Sequence, residues 1–426
     1  MRRETPGGGI EADMNPAIPK ELFDLDGVTW LLHCAEGPTP VAVAEAARRY
    51  MDLEVQPWRR KMGPDVIDIL NNARAQAATL VSSPALAAAA DDITLSQSTS
   101  SGLTLVAQAY PFKPSDEVLA PLGEFPSNIW PWKALADHGV TFREVPLWDG
   151  HRAGRDALDS TPPTADARPE ERIAAAITPA TRIVAASWVR FQDGLMLDLG
   201  LLGRLCAERG VDLVVDGIQG AGTHVPDLSH AAAFATGGHK GLLAQSGQGF
   251  LWTAPEFRTR LSPIGSWLSV EEGGNFARPM TDHERGWLAT GQRLEQGGYN
   301  ILGSLVLGGS LAVLNGAGTA NIERHVRALQ TPLVDGLMRA AAVKGPFATD
   351  AGRAELVRLR DLVAAGRTGP ILSIHHHGRG PEFLESLVGA LRAHRAYVST
   401  REGYMRIALH AYNDTDDANV ILDALS

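Results

Sequence analysis

Apolar positions along this chain follow two periods, and their alternation predicts the architecture. Pro64 suits the first position of a helix running to about Val81, with Val66, Ile69, Leu70 and Ala73 on one face. Short apolar runs predict strands at Ile93–Leu95, Val118–Pro121, Thr141–Pro146, Ile183–Ser187 and Leu213–Asp216. Helical spacing lies between them, at Ser101–Tyr110, Asn128–His138, Glu170–Ile177 and Leu199–Arg209. Apolar strands separated by helices predict parallel βαβ units, with the sheet covered on both faces. Residues His151–Pro169, rich in Pro, Asp, Arg and Ala, predict an exposed excursion from this pattern.

The pattern changes after about Asn300. Ile301–Asn315 and Ile322–Val343 have long helical spacing, and strands at Ile371–His375, Ala396–Ser399 and Met405–Leu409 frame a helix at Glu382–His394. The fold class is therefore α/β: a three-layer, mainly parallel sheet domain followed by a smaller α+β domain. The expected division is a flexible tail over residues 1–19, a large domain over 20–300 and a small domain over 301–426. The segment at the start of the large domain is free to join the small one.

Composition narrows the function classes. The chain has 426 residues, 44% hydrophobic and 21% charged, which suits a globular protein rather than a disordered one. Its formal net charge of −10 weighs against nucleic acid or an anionic membrane as partner. No secretory signal and no apolar run of spanning length is found. With only Cys34 and Cys206, a disulfide framework is excluded and a reduced cytoplasmic setting is expected.

Three features fall at the ends of predicted strands, where open α/β sheets bind ligands. Ser98-Thr99-Ser100-Ser101-Gly102 opens a helix and offers backbone N–H groups to a phosphate, although a simple helix cap explains the serines equally well. Val214-Val215-Asp216-Gly217-Ile218-Gln219-Gly220 ends a buried strand in a carboxylate. That group could meet a ribose, a metal ion or a protonated ring nitrogen, or merely cap the turn. Thr236-Gly237-Gly238-His239-Lys240-Gly241 holds a lysine between glycines, where desolvation would make the amine nucleophilic towards aldehydes. A phosphate cradle, a carboxylate and a reactive lysine together match the needs of pyridoxal 5′-phosphate (PLP).

In these motifs, and in Arg406 with Tyr412-Asn413 near the end, the chain resembles the fold-type I PLP enzymes of the class V aminotransferase group. That superfamily includes cysteine desulfurases, and the likeness is to its isopenicillin N epimerase-like and kynureninase-like branch. The resemblance implies a PLP transferase fold, an amino-acid substrate and a homodimer with shared active sites. It implies that Lys240 forms the Schiff base and moves the α-proton. Asp216 would pair with the pyridine nitrogen, and Gln219 would reach the phenolic oxygen. Ser100, Ser101 and Gly102 would hold the phosphate, with His239 as a further contact. Phe125, in Glu124-Phe125-Pro126-Ser127-Asn128, would stack on the ring, and Arg406 would bind the substrate carboxylate. Trp130, Trp132 and Trp267 are expected at the mouth of the site.

Gly237 and Gly298 stand where the family usually has hydroxyl residues. These departures leave room for a non-catalytic PLP-fold binding protein as the rival reading. Transamination, elimination and epimerisation all remain open, with an aminotransferase class V-like enzyme as the leading expectation. Cysteine desulfurase chemistry is set aside here, because Cys34 lies near the N-terminus and Cys206 on an apolar helix, neither in the C-terminal domain. No metal is expected, since consecutive His375-His376-His377 on a strand point to alternate faces.

Overall fold

Alternate residues of the central strands face opposite ways, and each face has its own core. The computed structural model describes Ile10 and residues 14–376 and 378–426. A short strand β1 (Thr29–Trp30) precedes the seven strands of the main sheet: β2 (Ile93–Ser96), β3 (Glu117–Pro121), β4 (Thr141–Val145), β5 (Thr181–Ser187), β6 (Asp212–Asp216), β7 (Ala233–Gly237) and β8 (Gly249–Thr253). Their order is β2–β8–β7–β6–β5–β3–β4. Strand β8 runs antiparallel to both neighbours, and every other pairing is parallel. Val118, Ile183, Ala185, Val214 and Ala235 pack on one side of the sheet with Leu103, Val106 and Trp132. Leu119, Val184, Ala186, Val215 and Phe234 pack on the other, with Ile173, Leu202 and Cys206. Burial on both faces is why these strands read as unbroken apolar runs.

The helices between the strands begin at polar caps. Ser98 starts Thr99–Ala109 and Asp198 starts Leu199–Ala207, each side chain accepting from a first-turn amide. The stretch expected as one helix over 128–138 is instead a helical turn, Trp130–Lys133, between tighter turns. Residues 151–169 fold back onto the surface, with His151, Ala157 and Ser160 buried rather than exposed. Strand β8 and the helices Asp350–Ala364 and Thr415–Leu425 extend the sequence-level pattern.

Helix Ile301–Ala317 packs on Asp68–Val81. At Gly318, with φ +79°, the chain bends by 71° into Thr319–Val343. A side chain would strain that left-handed backbone. Beyond it lie β9 (Ile371–His375), β10 (Ala396–Tyr397), β11 (Ser399–Arg401) and β12 (Tyr404–Ala408). Strands β11, β12 and β9 form an antiparallel sheet in that order. The N-terminal segment closes against this part: β1 pairs with β10, Leu32 bridges to Ala408, and the Ile18 amide donates to Ala411 O at 3.0 Å. Among the described residues no single helix is long and apolar enough to cross a membrane.

Candidate active site

The strand ends of the main sheet open into a cavity of about 270 Å³. After β2, the Ser98–Ser100 segment forms one wall, at the N-terminus of helix Thr99–Ala109. Strand β6 delivers Asp216 to the floor, beside Ser187 of β5 in register. Strand β7 leads into the turn that carries His239 and Lys240, and the segment after β3 brings Phe125 and Ser127. Phe191 meets Phe125 edge to face, with ring centres 5.2 Å apart.

Burial lowers the pKa of the Lys240 amine, while Asp216 and Cys34 oppose that shift. Its Nζ lies 5.5 Å from the centre of the Phe125 ring. Asp216 Oδ1 accepts from the Ile218 amide at 3.0 Å, and burial pushes its pKa up to about 7. Below it, Glu124 is also buried and raised by desolvation. Glu124 accepts from the Ser187 amide at 2.9 Å, from the Ser187 hydroxyl and from Asn128 Nδ2 at 3.1 Å. Burial and the charge of Lys240 both lower the pKa of His239.

The opposite wall comes from the small sheet and the N-terminal segment. Arg406 on β12 is 2% exposed. Its Nη1 donates to Phe191 O at 2.7 Å, and its Nε and Nη2 donate to Ser399 Oγ at 3.1 and 2.7 Å. No carboxylate pairs with it among the described residues, which leaves a buried cation suited to an anionic ligand. Cys34 lines the cavity, with Sγ 3.8 Å from the same Ser399 Oγ. Gln219 Nε2 donates to Cys34 O at 3.1 Å, and Gln219 Oε1 is buried without a partner. The N-terminal segment lies tight on the lysine turn: Gly37 N–H donates to His239 O at 2.8 Å, and a Cβ on Gly37 would come within 2.3 Å of Lys240 O. His410 Nε2 is 2.9 Å from Gly241 O and braces the turn from below.

Ser100, Phe125, Asp216, Gln219, His239, Lys240 and Arg406 thus line one cavity. Ser100 Oγ donates to Ser127 Oγ at 2.7 Å. Ser101 has its hydroxyl engaged in the helix cap, with Ser98 N at 2.8 Å and Ser98 O at 2.9 Å, and lines an adjoining cavity with Gly297 and Gly298. Gly102 backs onto the sheet, where a Cβ would meet that of Ala235 at 3.1 Å. Trp132 is a core residue, with Nε1 donating to Asn128 Oδ1, while Trp130 and Trp267 are exposed and are not among the residues lining the cavity. His375 and His376 pack their rings together outside the cavity, and His377 lies outside the described residues. Cys34 and Arg401 join the site without having been expected there. Thr99 and Ser127 also line it and lie inside motifs visible in the sequence, whereas Cys34 and Arg401 carry no local signal.

The family model described as Aminotransferase class-V matches residues 29–353. A probable cysteine desulfurase of Pseudomonas aeruginosa is 27% identical over 93% of this chain and 92% of its own length. Another, from Methanothermobacter thermautotrophicus, is 27% identical over 68% of this chain and 67% of its own. Among solved structures, C-DES with glycine covalently linked to its PLP cofactor matches at TM-score 0.74 and 20% identity, covering 95% of this chain and 97% of that one. The cystine C–S lyase C-DES in complex with its product cysteine persulfide matches at TM-score 0.71 and 19% identity, covering 93% and 97%. The desulfurase relatives overturn the exclusion of cysteine desulfurase chemistry drawn from cysteine position. That exclusion judged Cys34 by its place in the chain, but folding brings it into the cavity with Lys240 and Arg406.

Proposed function

The chain belongs to the aminotransferase class-V family, and from that premise we propose that it cleaves the Cβ–S bond of a cysteine-type amino acid. It is a PLP-dependent enzyme acting on an amino acid through a lysine Schiff base. When bound, PLP supplies an electron sink for negative charge developing at the substrate Cα. The residues present fit that group. Asp216 is a buried carboxyl raised to about 7, so a cationic ring N–H opposite it would favour its ionised form. Gln219 and Thr99 carry buried oxygens with no protein partner, and the helix behind Ser98 presents free N–H groups to a phosphate.

Within this reading Arg406 holds the α-carboxylate and Lys240 Nζ removes and returns the proton at Cα. Phe125 and Phe191 form an apolar wall. The observation that carries the reading is Cys34 on the same cavity as Lys240 and Arg406, which supports sulfur transfer to a thiol. In that transfer the substrate Cβ–S bond breaks and an S–S bond to Cys34 Sγ forms. The Cys34 proton ends on carbon, so cysteine and Cys34 thiol become alanine and a Cys34 persulfide. Holoenzyme given L-cysteine is expected to yield alanine and equimolar protein-bound sulfane sulfur, and C34S is expected to lose the bound sulfur. Pyruvate and sulfide without bound sulfur would instead assign plain elimination and remove Cys34 from the path. Release of no sulfur from any cysteine derivative would refute the reading.

A second copy of the chain is the partner in this proposal. Trp58, Met62, Ile67, Trp267, Phe276 and Trp287 are exposed, and Ile67, Leu268, Val270 and Leu288 share one groove. Apolar surface of this extent supports an interface. Both cysteines are free thiols, which supports a reduced cytoplasmic setting.

A further inference from the structure

Arg401 is a cation of the cavity that the reading above leaves without a task. It ends β11 and lines the cavity with Arg406. In the β11–β12 register Ser399 faces Arg406 and Arg401 faces Tyr404. Side chains two apart on a strand share a face, so Arg401 stands on the same face as the Ser399–Arg406 pair, about 7 Å further along. Among the described residues its side chain makes one hydrogen bond, from Nη1 to Thr400 O at 3.1 Å, and no ion pair. Glu402 follows it through a left-handed turn, φ 44°, and feels the buried Arg190 more strongly than Arg401. The charge of Arg401 reaches both Lys240 and Arg406. Two guanidinium cations, the buried Arg406 and the exposed Arg401, therefore stand on one small cavity in a protein of net charge −10, while Asp216 occupies the floor. Like charges held this close repel, and bound anions relieve that repulsion. One α-carboxylate satisfies Arg406, and Arg401 is left facing the far end of the ligand.

We infer that Arg401 is a specificity residue that binds a second anionic group at the distal end of the substrate side chain. The preferred substrate is then an amino acid with an anion at each end. Joined to the Cβ–S reading, on which only the sulfur rests, this is a cysteine whose sulfur bears a carboxylated substituent. The apolar Phe125–Phe191 pair suits the carbon chain between the two charges.

Two isosteric pairs test the inference on holoenzyme. S-(2-carboxyethyl)-L-cysteine is compared with S-propyl-L-cysteine by steady-state kinetics. L-2-aminoadipate is compared with L-norleucine by calorimetric binding. Wild-type protein is expected to favour the carboxylated member of each pair by roughly tenfold or more, through KM and Kd rather than kcat. R401Q is expected to bring both ratios towards one, and R401K to restore part of the preference. Equal losses for both members in R401Q, an unchanged ratio, or release of PLP from R401Q would overturn the inference. If neither thioether nor L-cysteine releases sulfur while the aminoadipate preference still depends on Arg401, the Cβ–S reading falls and the distal-anion site stands.

Discussion

Burial of Asp216 under the cavity floor strips its carboxylate of hydration, and the Ile218 amide is the one hydrogen bond it gains among the described residues. Its pKa rises from the ordinary 3.8 to about 7. The folded, cofactor-free protein therefore keeps a proton that the unfolded chain releases above about pH 4. Stability from this group is complete below 3.8 and is lost as pH rises through 7. Cofactor-free D216N, which carries no charge there, should melt above cofactor-free wild type at pH 8, with the gap closing towards pH 4. Scanning calorimetry across that range checks this, and parallel melting curves for the two proteins would contradict it. At this scale Asp216, Gln219, His239 and Lys240 were legible, because strand-end motifs and flanking glycines announce them within a few residues. Cys34 was not, since its place follows from the bridge of Leu32 to Ala408 far along the chain. Nor was Arg401, which lies on a local hairpin but has that hairpin placed by the pairing of β12 with β9.

Close approach between elements is the next constraint, and Gly37 shows it most sharply. The segment after β1 crosses the lysine turn so tightly that a methyl group on Gly37 would sit 2.3 Å from Lys240 O. The backbone must move to admit it, at a cost of about 1–3 kcal/mol. G37A is expected to unfold at lower denaturant and to take up PLP more slowly, because the displaced turn carries the lysine. Unfolding midpoints and the growth of the bound-PLP absorption measure the two effects, and a wild-type-like variant on both would refute the contact. Most central strands and helices could be read from periodicity, as β3, β5 and β6 illustrate. Strand β8 could not. Gly249–Thr253 is a short apolar run after a turn, antiparallel to its neighbours, and nothing in such a run separates strand from buried helix.

The whole molecule presents an apolar surface that a lone subunit would leave wet. Trp58 is 78% exposed and Trp287 51%, and the rings of Trp267 and Phe276 pack 5.9 Å apart on the surface. Charging this face with W267R and W287R together is expected to shift the protein from dimer to monomer in sedimentation velocity. A monomeric wild-type protein, or a double variant that remains dimeric, would exclude this face as the interface. The change of pattern after residue 300 announced the long helices and the strands of the second sheet that follow it. The sequence leaves the N-terminal segment free to join the C-terminal part, but its pairing was not legible, because β1 is two residues long and pairs with β10 far along the chain.

By itself the sequence determined the mainly parallel sheet, the helices over it and the motifs at its strand ends. These depend on apolar periodicity, caps and turns that act between residues close in the chain. Only the tertiary structure decided which of those groups share a cavity, that Cys34 and Arg401 join Lys240 and Arg406 there, and that Ser101 spends its hydroxyl on the helix cap. The physical reason is that a binding site depends on distance in space. Pairing β1 with β10 and β12 with β9 brings together residues that no local pattern connects.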